Sequence, residues 1–222
     1  MELQFFNRDN GTVTTVNNIM LTRFGANDLG ESGIVYKINR NEDGFFDFSK
    51  NFVDIGAYIG VYTCLNNFAQ SYAFEGNQQL IHYIYANTLL YDKGNANITQ
   101  ALLSDKSECV YYDGYNCELG NSPDFNKNHS IEYTTKTLDA FNIDNVGLIK
   151  IDVEGMEERV IRGGIGTIIR SNYPPILFEC WNVGYFGMTQ EKHDSLFNFL
   201  KSLGYEILEQ WGDFQTHLAV HK

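Results

Sequence analysis

A chain of 222 residues with 43% apolar content can bury one substantial core without dividing, so a single domain over residues 1–222 is expected. The formal charge of −12, from 16 Lys and Arg against 28 Asp and Glu, lacks the basic footprint that holds a phosphate backbone and argues against a nucleic-acid substrate. No apolar run is long enough to span a bilayer, and the stretch from Met1 to Arg8 lacks a charged leader and apolar core, so no membrane insertion and a cytoplasmic location are expected.

Residues 1–50 are rich in glycine and asparagine with scattered aromatics, and they read as an amino-terminal extension to a core over 51–222. Within the extension, residues 34–39 are β-branched enough to suggest a strand, and residues 23–48 are a place to seek acceptor contacts. The four cysteines, Cys64, Cys109, Cys117 and Cys180, show neither Cys-x-x-Cys spacing nor histidines placed to complete a zinc site, so reduced structural thiols are expected.

The core opens with Asn51 to Ile55, an apolar strand that carries Asp54 near its carboxyl end and runs into Gly56-Ala57-Tyr58-Ile59-Gly60. Gly56 and Gly60 let backbone approach a ligand that a Cβ would block. A dinucleotide site would want Gly-x-Gly-x-x-Gly, whose bare amides nest a pyrophosphate at a helix end. The middle glycine is missing here. The turn therefore suits a nucleoside without pyrophosphate, S-adenosylmethionine first among them, although a purely structural turn has the same appearance.

Strands follow at 71–75, 96–102, 107–112, 131–135, 146–152, 175–180, 204–209 and 214–220, with helices over Asn77 to Tyr91 and Thr189 to Leu203. Glu75 ends the second core strand at about the 20-residue spacing at which an acid meets ribose hydroxyls; the alternative is a cap on the next helix. Ser104-Asp105 follows the 96–102 strand and offers either further cofactor contacts or a simple turn. Residues 113–130 form a long polar connection, either a lid or a disordered loop. The strand around Val146 to Val153 ends in Asp152, Glu154 and Glu157, more acids than capping of the helix starting near Met156 requires. The last two strands, joined at Gly212-Asp213, read as an antiparallel hairpin at the sheet edge. Strand–helix alternation upstream means a mostly parallel sheet.

Three stretches, Val53-Asp54-Ile55-Gly56-Ala57-Tyr58-Ile59-Gly60, Phe74-Glu75 and Leu148-Ile149-Lys150-Ile151-Asp152-Val153-Glu154-Gly155-Met156-Glu157, together resemble the FkbM family of S-adenosylmethionine-dependent methyltransferases. Two departures stand out: Tyr58 replaces an asparagine usual in the first motif, and Gly76-Asn77 follows Glu75 where the family often has proline. The resemblance implies a class I, Rossmann-like methyltransferase fold: a seven-stranded, mostly parallel sheet with an antiparallel carboxy-terminal hairpin and helices on both faces. It also implies O-methylation of a sugar, a glycan or a glycosylated small molecule.

Expected cofactor contacts are Asp54, Gly56, Tyr58, Gly60, Glu75, Ser104, Asp105 and Asp152. For catalysis the candidates are Asp152, then Glu154, with Glu179 converging from the neighbouring strand and His193 as a histidine base, unless it is packed at the start of its helix. Carboxylates on adjacent strand ends are also how a divalent cation would be held, but no metal is expected. Trp181 and Trp211, with Tyr185 and Phe186, offer a stacking surface for a sugar ring, or simply core packing. An acceptor other than a sugar and a catalytically silent cofactor-binding module remain alternatives; the oligomeric state is not legible.

Overall fold

The computed structural model describes residues 3–6, 13–16 and 31–222, except 121, 212 and 214. Two short strands, Leu3–Phe6 (β1) and Val13–Val16 (β2), pair antiparallel. The expected strand at 34–39 is instead part of a helix, Glu31–Arg40 (α1). Ile34, Val35 and Ile38 are buried while Tyr36 and Lys37 are exposed, which is helical and not alternating spacing. Glu31 in the first turn and Lys37 and Arg40 in the last complement the helix dipole.

The core elements follow in order: Asn51–Ile55 (β3), Val61–Leu65 (α2), Gln70–Glu75 (β4), Gln78–Leu90 (α3) and Ala96–Gln100 (β5). After an inserted hairpin, Cys109–Tyr112 (β6) and Ile131–Thr134 (β7), come Val146–Ile151 (β8), Glu157–Gly163 (α4), Ile165–Arg170 (α5), Ile176–Glu179 (β9), Gln190–Ser202 (α6), Tyr205–Leu208 (β10) and Thr216–His221 (β11). The main sheet has the order β10-β11-β9-β8-β3-β4-β5. Neighbours from β9 through β5 pair parallel, whereas β11 runs antiparallel to both β9 and β10. The expected seven-stranded sheet and edge hairpin are thus present, while the strands expected at 107–112 and 131–135 form a separate two-stranded sheet, outside the main one. The hairpin's expected turn includes Gly212 and its second strand was expected from Phe214, both outside the described residues; so are residues 23–30 of the segment considered for acceptor contacts.

Period-2 alternation sorts the core strands onto two faces. Val53, Ile55, Ile149, Ile151 and Phe178 pack with α6 residues Leu196 and Leu200 on one side. Phe52, Leu148 and Leu177 pack with Ile34, Val35 and Ile38 of α1 on the other. The polar residues Asp54 and Lys150 share the parity of this second face and are directly opposite each other in the β3–β8 register. Asn77 caps α3 by accepting from the Gln79 N–H at 2.9 Å, and Thr189 caps α6 through the Lys192 N–H.

Candidate active site

Parallel pairing brings the carboxyl ends of β3, β4, β5, β8 and β9 to one edge, the usual place for ligands in open α/β sheets. A cavity of about 640 Å³ opens there. Its floor includes Gly56, Glu75, Asp152 and Glu179, and its walls include Ile34 from α1, Tyr112 and Cys117 from the inserted hairpin, and Thr216 from β11.

Gly56 sits at φ 74°, and a Cβ on it would come within 1.7 Å of the Asp152 carbonyl oxygen. Only glycine lets β3 turn so close to the end of β8. The Gly56 and Ala57 N–H groups both donate to the Phe74 carbonyl, the Gly60 N–H donates to Ala57, and the Tyr58 N–H donates to Glu75 Oε2 at 3.0 Å. These amides are consumed within the protein and are not free to nest a phosphate. Tyr58 itself holds φ 50°, a left-handed conformation that asparagine tolerates better than tyrosine.

Glu75 is buried, and its other oxygen accepts the Asn77 N–H at 2.8 Å. Burial pushes its carboxyl up, opposed by these backbone bonds. Beside it, Gly76 is walled by Leu102 and Tyr112, and any Cβ there would lie 2.5 Å from Leu102 Cδ2. The result is an apolar slot next to a carboxylate, a shape and chemistry that fit an adenosine with its ribose hydroxyls.

Beyond the turn, the carboxylates of Asp152, Glu154 and Glu179 each offer an oxygen within 4.8 Å of the others. Burial first, then Asp152, Glu157 and Glu154, push the Glu179 carboxyl up to about 10. Burial, with Asp152 adding to it, raises Glu154 as well. Glu157 lies beneath, its Oε1 accepting from the Val153 and Gly155 N–H groups, and burial pushes it up to about 7. The segment at 113–130 is one wall of this end: Asp113 accepts from the N–H groups of Tyr115, Asn116 and Asn126, and Gly120 packs against the Glu154 carbonyl. At the rim, the Trp181 and Phe186 rings meet at 4.1 Å and 38°, and Trp181 lines the cavity.

Of the expected cofactor residues, Gly56, Tyr58, Glu75 and Asp152 line the cavity, and of the expected catalytic group Asp152, Glu154 and Glu179 do. Five others are not among its lining residues. Asp54 is completely buried, accepting from Thr63 Oγ1 at 2.6 Å and pairing with Lys150. Gly60 is the left-handed N-cap of α2, packed on Ile84. Ser104 and Asp105 tie the chain after β5 to α4, with Ser104 against Gly163 and Asp105 paired with Arg159 at 2.6 Å; the wall from that segment is Ala101, Leu102 and Leu103 instead. His193 stacks on Phe197 at 4.1 Å. The sequence reading missed Leu102, just after β5, and Tyr112, inside the inserted hairpin, and it gave Lys150 no role of its own beside the acids at the end of β8.

The chain matches the family model for the methyltransferase FkbM domain over residues 54–207. No curated protein sequence matches it. Among solved structures it is similar to a methyltransferase FkbM from Methylobacillus flagellatus KT, with 17% identity and a TM-score of 0.59 over 84% of this chain and 48% of that one. The chain thus spans about half the length of that relative. It is also similar to a precorrin-6y C5,15-methyltransferase from Geobacter metallireducens GS-15 (14% identity, TM-score 0.51, 86% and 87% covered). An S-adenosylhomocysteine-bound methyltransferase from Podospora anserina shares 10% identity and a TM-score of 0.54, with 86% and 76% covered. At these identities the likeness shows the fold, which is the class I, Rossmann-like methyltransferase fold.

Proposed function

The chain belongs to the FkbM methyltransferase family, and on that premise we propose that it transfers a methyl group from S-adenosylmethionine to a hydroxyl of a sugar, glycan or glycosylated small molecule. The observation that carries this reading is the cavity edge formed by Glu75, Gly56 and Asp152: a carboxylate beside an apolar slot, a turn whose Gly56, Ala57, Tyr58 and Gly60 amides are taken within the protein, and a second carboxylate beyond it. When bound, the cofactor supplies a methyl group on a positively charged sulfur. Everything else is done by this chain's residues.

Glu75 accepts the ribose hydroxyls with the lone pairs left over from Tyr58 and Asn77. Leu102 and Tyr112 hold the base by apolar contact. Asp152 faces the positive end of the ligand. A sugar hydroxyl is a weak acid, so its proton must leave as the new C–O bond forms and the methyl–sulfur bond breaks, the electron pair staying with sulfur as a neutral thioether. Glu154 is the base, because a carboxyl raised by burial takes a proton more readily. Trp181 and Phe186 present an apolar surface to the C–H face of a sugar ring. The three carboxylates could instead grip a divalent ion that lowers the hydroxyl's pKa, and activity after chelation separates the two routes.

The test is calorimetric titration with S-adenosylmethionine, S-adenosylhomocysteine and NAD, followed by transfer of labelled methyl to a panel of glycosides and non-sugar alcohols. Binding of both adenosyl ligands without NAD, and label in a glycoside, is expected. Adenosyl binding with label only in a non-sugar acceptor would reject the sugar assignment, and no adenosyl binding would reject the whole reading.

A further inference from the structure

Lys150 is a charged residue next to the carboxyl end of a strand whose six residues are all buried, and it is 3% exposed. Leaving an ammonium there is costly unless its charge is answered. Alternation along β8 aims it at the same face as Asp54, its cross-strand partner. Its Nζ donates to the Gly56 carbonyl at 2.7 Å and stands 3.6 Å from Asp54 Oδ1 and 3.5 Å from Asp152 Oδ2, with the Tyr62 ring 5.1 Å away. Two of these partners are closed to ligand: the Asp54 side chain is fully buried, and the Gly56 carbonyl is taken by the lysine itself. Asp152 differs, since its side chain is 34% exposed and lines the cavity.

We propose that Lys150 is a positioning residue that, through Asp152, sets the part of the cavity receiving the amino-acid end of S-adenosylmethionine. This rests on the reading above that the cavity takes that cofactor. Glu75 and Asp152 follow directly on Phe74 and Ile151, both of which pair with Ile55, so they flank the Gly56 turn from either side. Two strand spacings separate them, about 10 Å, enough for a nucleoside anchored at Glu75 to extend its amino-acid tail toward Asp152. The tail's ammonium needs a carboxylate that is held still and still has an oxygen to offer. Lys150 meets the first need by standing 3.5 Å from Asp152 Oδ2, and because it also answers Asp54 and donates to the Gly56 carbonyl, it is shared among three partners and leaves Asp152 open to the cavity.

The experiment compares two ligands by calorimetry: S-adenosylhomocysteine, which has the amino-acid tail, and 5′-methylthioadenosine, which lacks it. The variant is Lys150→Met with Asp54→Asn, so that no orphaned charge is left in the core; the same pair of changes is repeated in an Asp152→Asn background to test whether the effect runs through Asp152. The expected result is about tenfold weaker binding of S-adenosylhomocysteine, binding of 5′-methylthioadenosine within about twofold of wild type, and no further effect of the pair of changes once Asp152 is Asn. Equal weakening of both ligands, or of neither, would make Lys150 a structural residue only and overturn the inference. Failure of the wild-type protein to bind either ligand would sink the cofactor reading first, and this inference with it.

Discussion

The Glu75 carboxylate accepts the Tyr58 N–H at 3.0 Å, so the end of β4 holds the glycine turn of β3 in place. The same carboxylate caps the start of α3 through Asn77. One buried group therefore shapes the nucleoside pocket and stabilises the fold around it. Glu75→Ala leaves one buried and one half-buried N–H group without an acceptor, which costs about 2–4 kcal/mol. Thermal unfolding should show that loss, and titration with S-adenosylhomocysteine should show weakened binding. A variant that melts like wild type would mean that these bonds contribute little, and unchanged binding would remove Glu75 from the ribose site.

Glu157 makes a prediction about pH. Its folded-state value of about 7 stands above the ordinary 4.5 because burial disfavours the charged form. Between those two values the folded protein holds a proton that the unfolded chain has released, so the stability this group contributes falls as pH rises from about 4.5 to about 7. Glu179, raised to about 10, drives stability in the same direction up to higher pH. Glu157→Gln keeps an oxygen for the Val153 and Gly155 N–H groups but has nothing to titrate. Urea unfolding at pH 5 and pH 7.5 should therefore show a smaller loss for the variant than for wild type, by at most about 3 kcal/mol. Identical losses would place the titration elsewhere.

The acid cluster divides into unequal members. Because burial and its acidic neighbours raise the Glu179 carboxyl and favour its neutral form, Glu179→Gln should leave turnover within a few-fold of wild type. Glu154→Gln removes the base and should slow methyl transfer by about 10² to 10⁴ while S-adenosylhomocysteine still binds. Single-turnover assays at pH 7.5 distinguish them. The reverse ranking would exchange the two roles.

The sheet was legible because Phe52-Val53, Leu148-Ile149 and Ile176-Leu177-Phe178 are continuous apolar runs, as parallel strands buried on both faces require. The acids at the ends of those runs were legible for the same reason, since a charge after such a run marks the edge where a sheet opens to ligand. What escaped was everything that depends on which strands become neighbours. Asp54 reads locally as a ligand contact, and only its pairing with β8 turns it into the buried partner of Lys150. Ser104 and Asp105 likewise follow a strand at a plausible distance, yet Arg159, far away in sequence, draws Asp105 toward α4. The helix at 31–40 was the avoidable error: Ile34, Val35 and Ile38 have β-branched content but helical spacing, and spacing decided the structure.

Trp181 tests the acceptor assignment separately from the cofactor. Its ring lines the cavity and leans on Phe186 at 4.1 Å, while the Glu75, Gly56 and Asp152 edge makes its own contacts without it. Removing the ring takes away apolar area that only an acceptor would cover, and an aromatic contact of this kind contributes about 0.5–1.5 kcal/mol beyond its area. Trp181→Ala should therefore raise the KM for the acceptor about tenfold, with S-adenosylhomocysteine affinity unchanged. His193→Gln, on a side chain stacked against Phe197 and outside the cavity lining, should alter neither quantity. If Trp181→Ala weakens cofactor and acceptor together, the ring supports the whole edge and the sugar contact must be sought along the wall formed by Tyr112 and Tyr115.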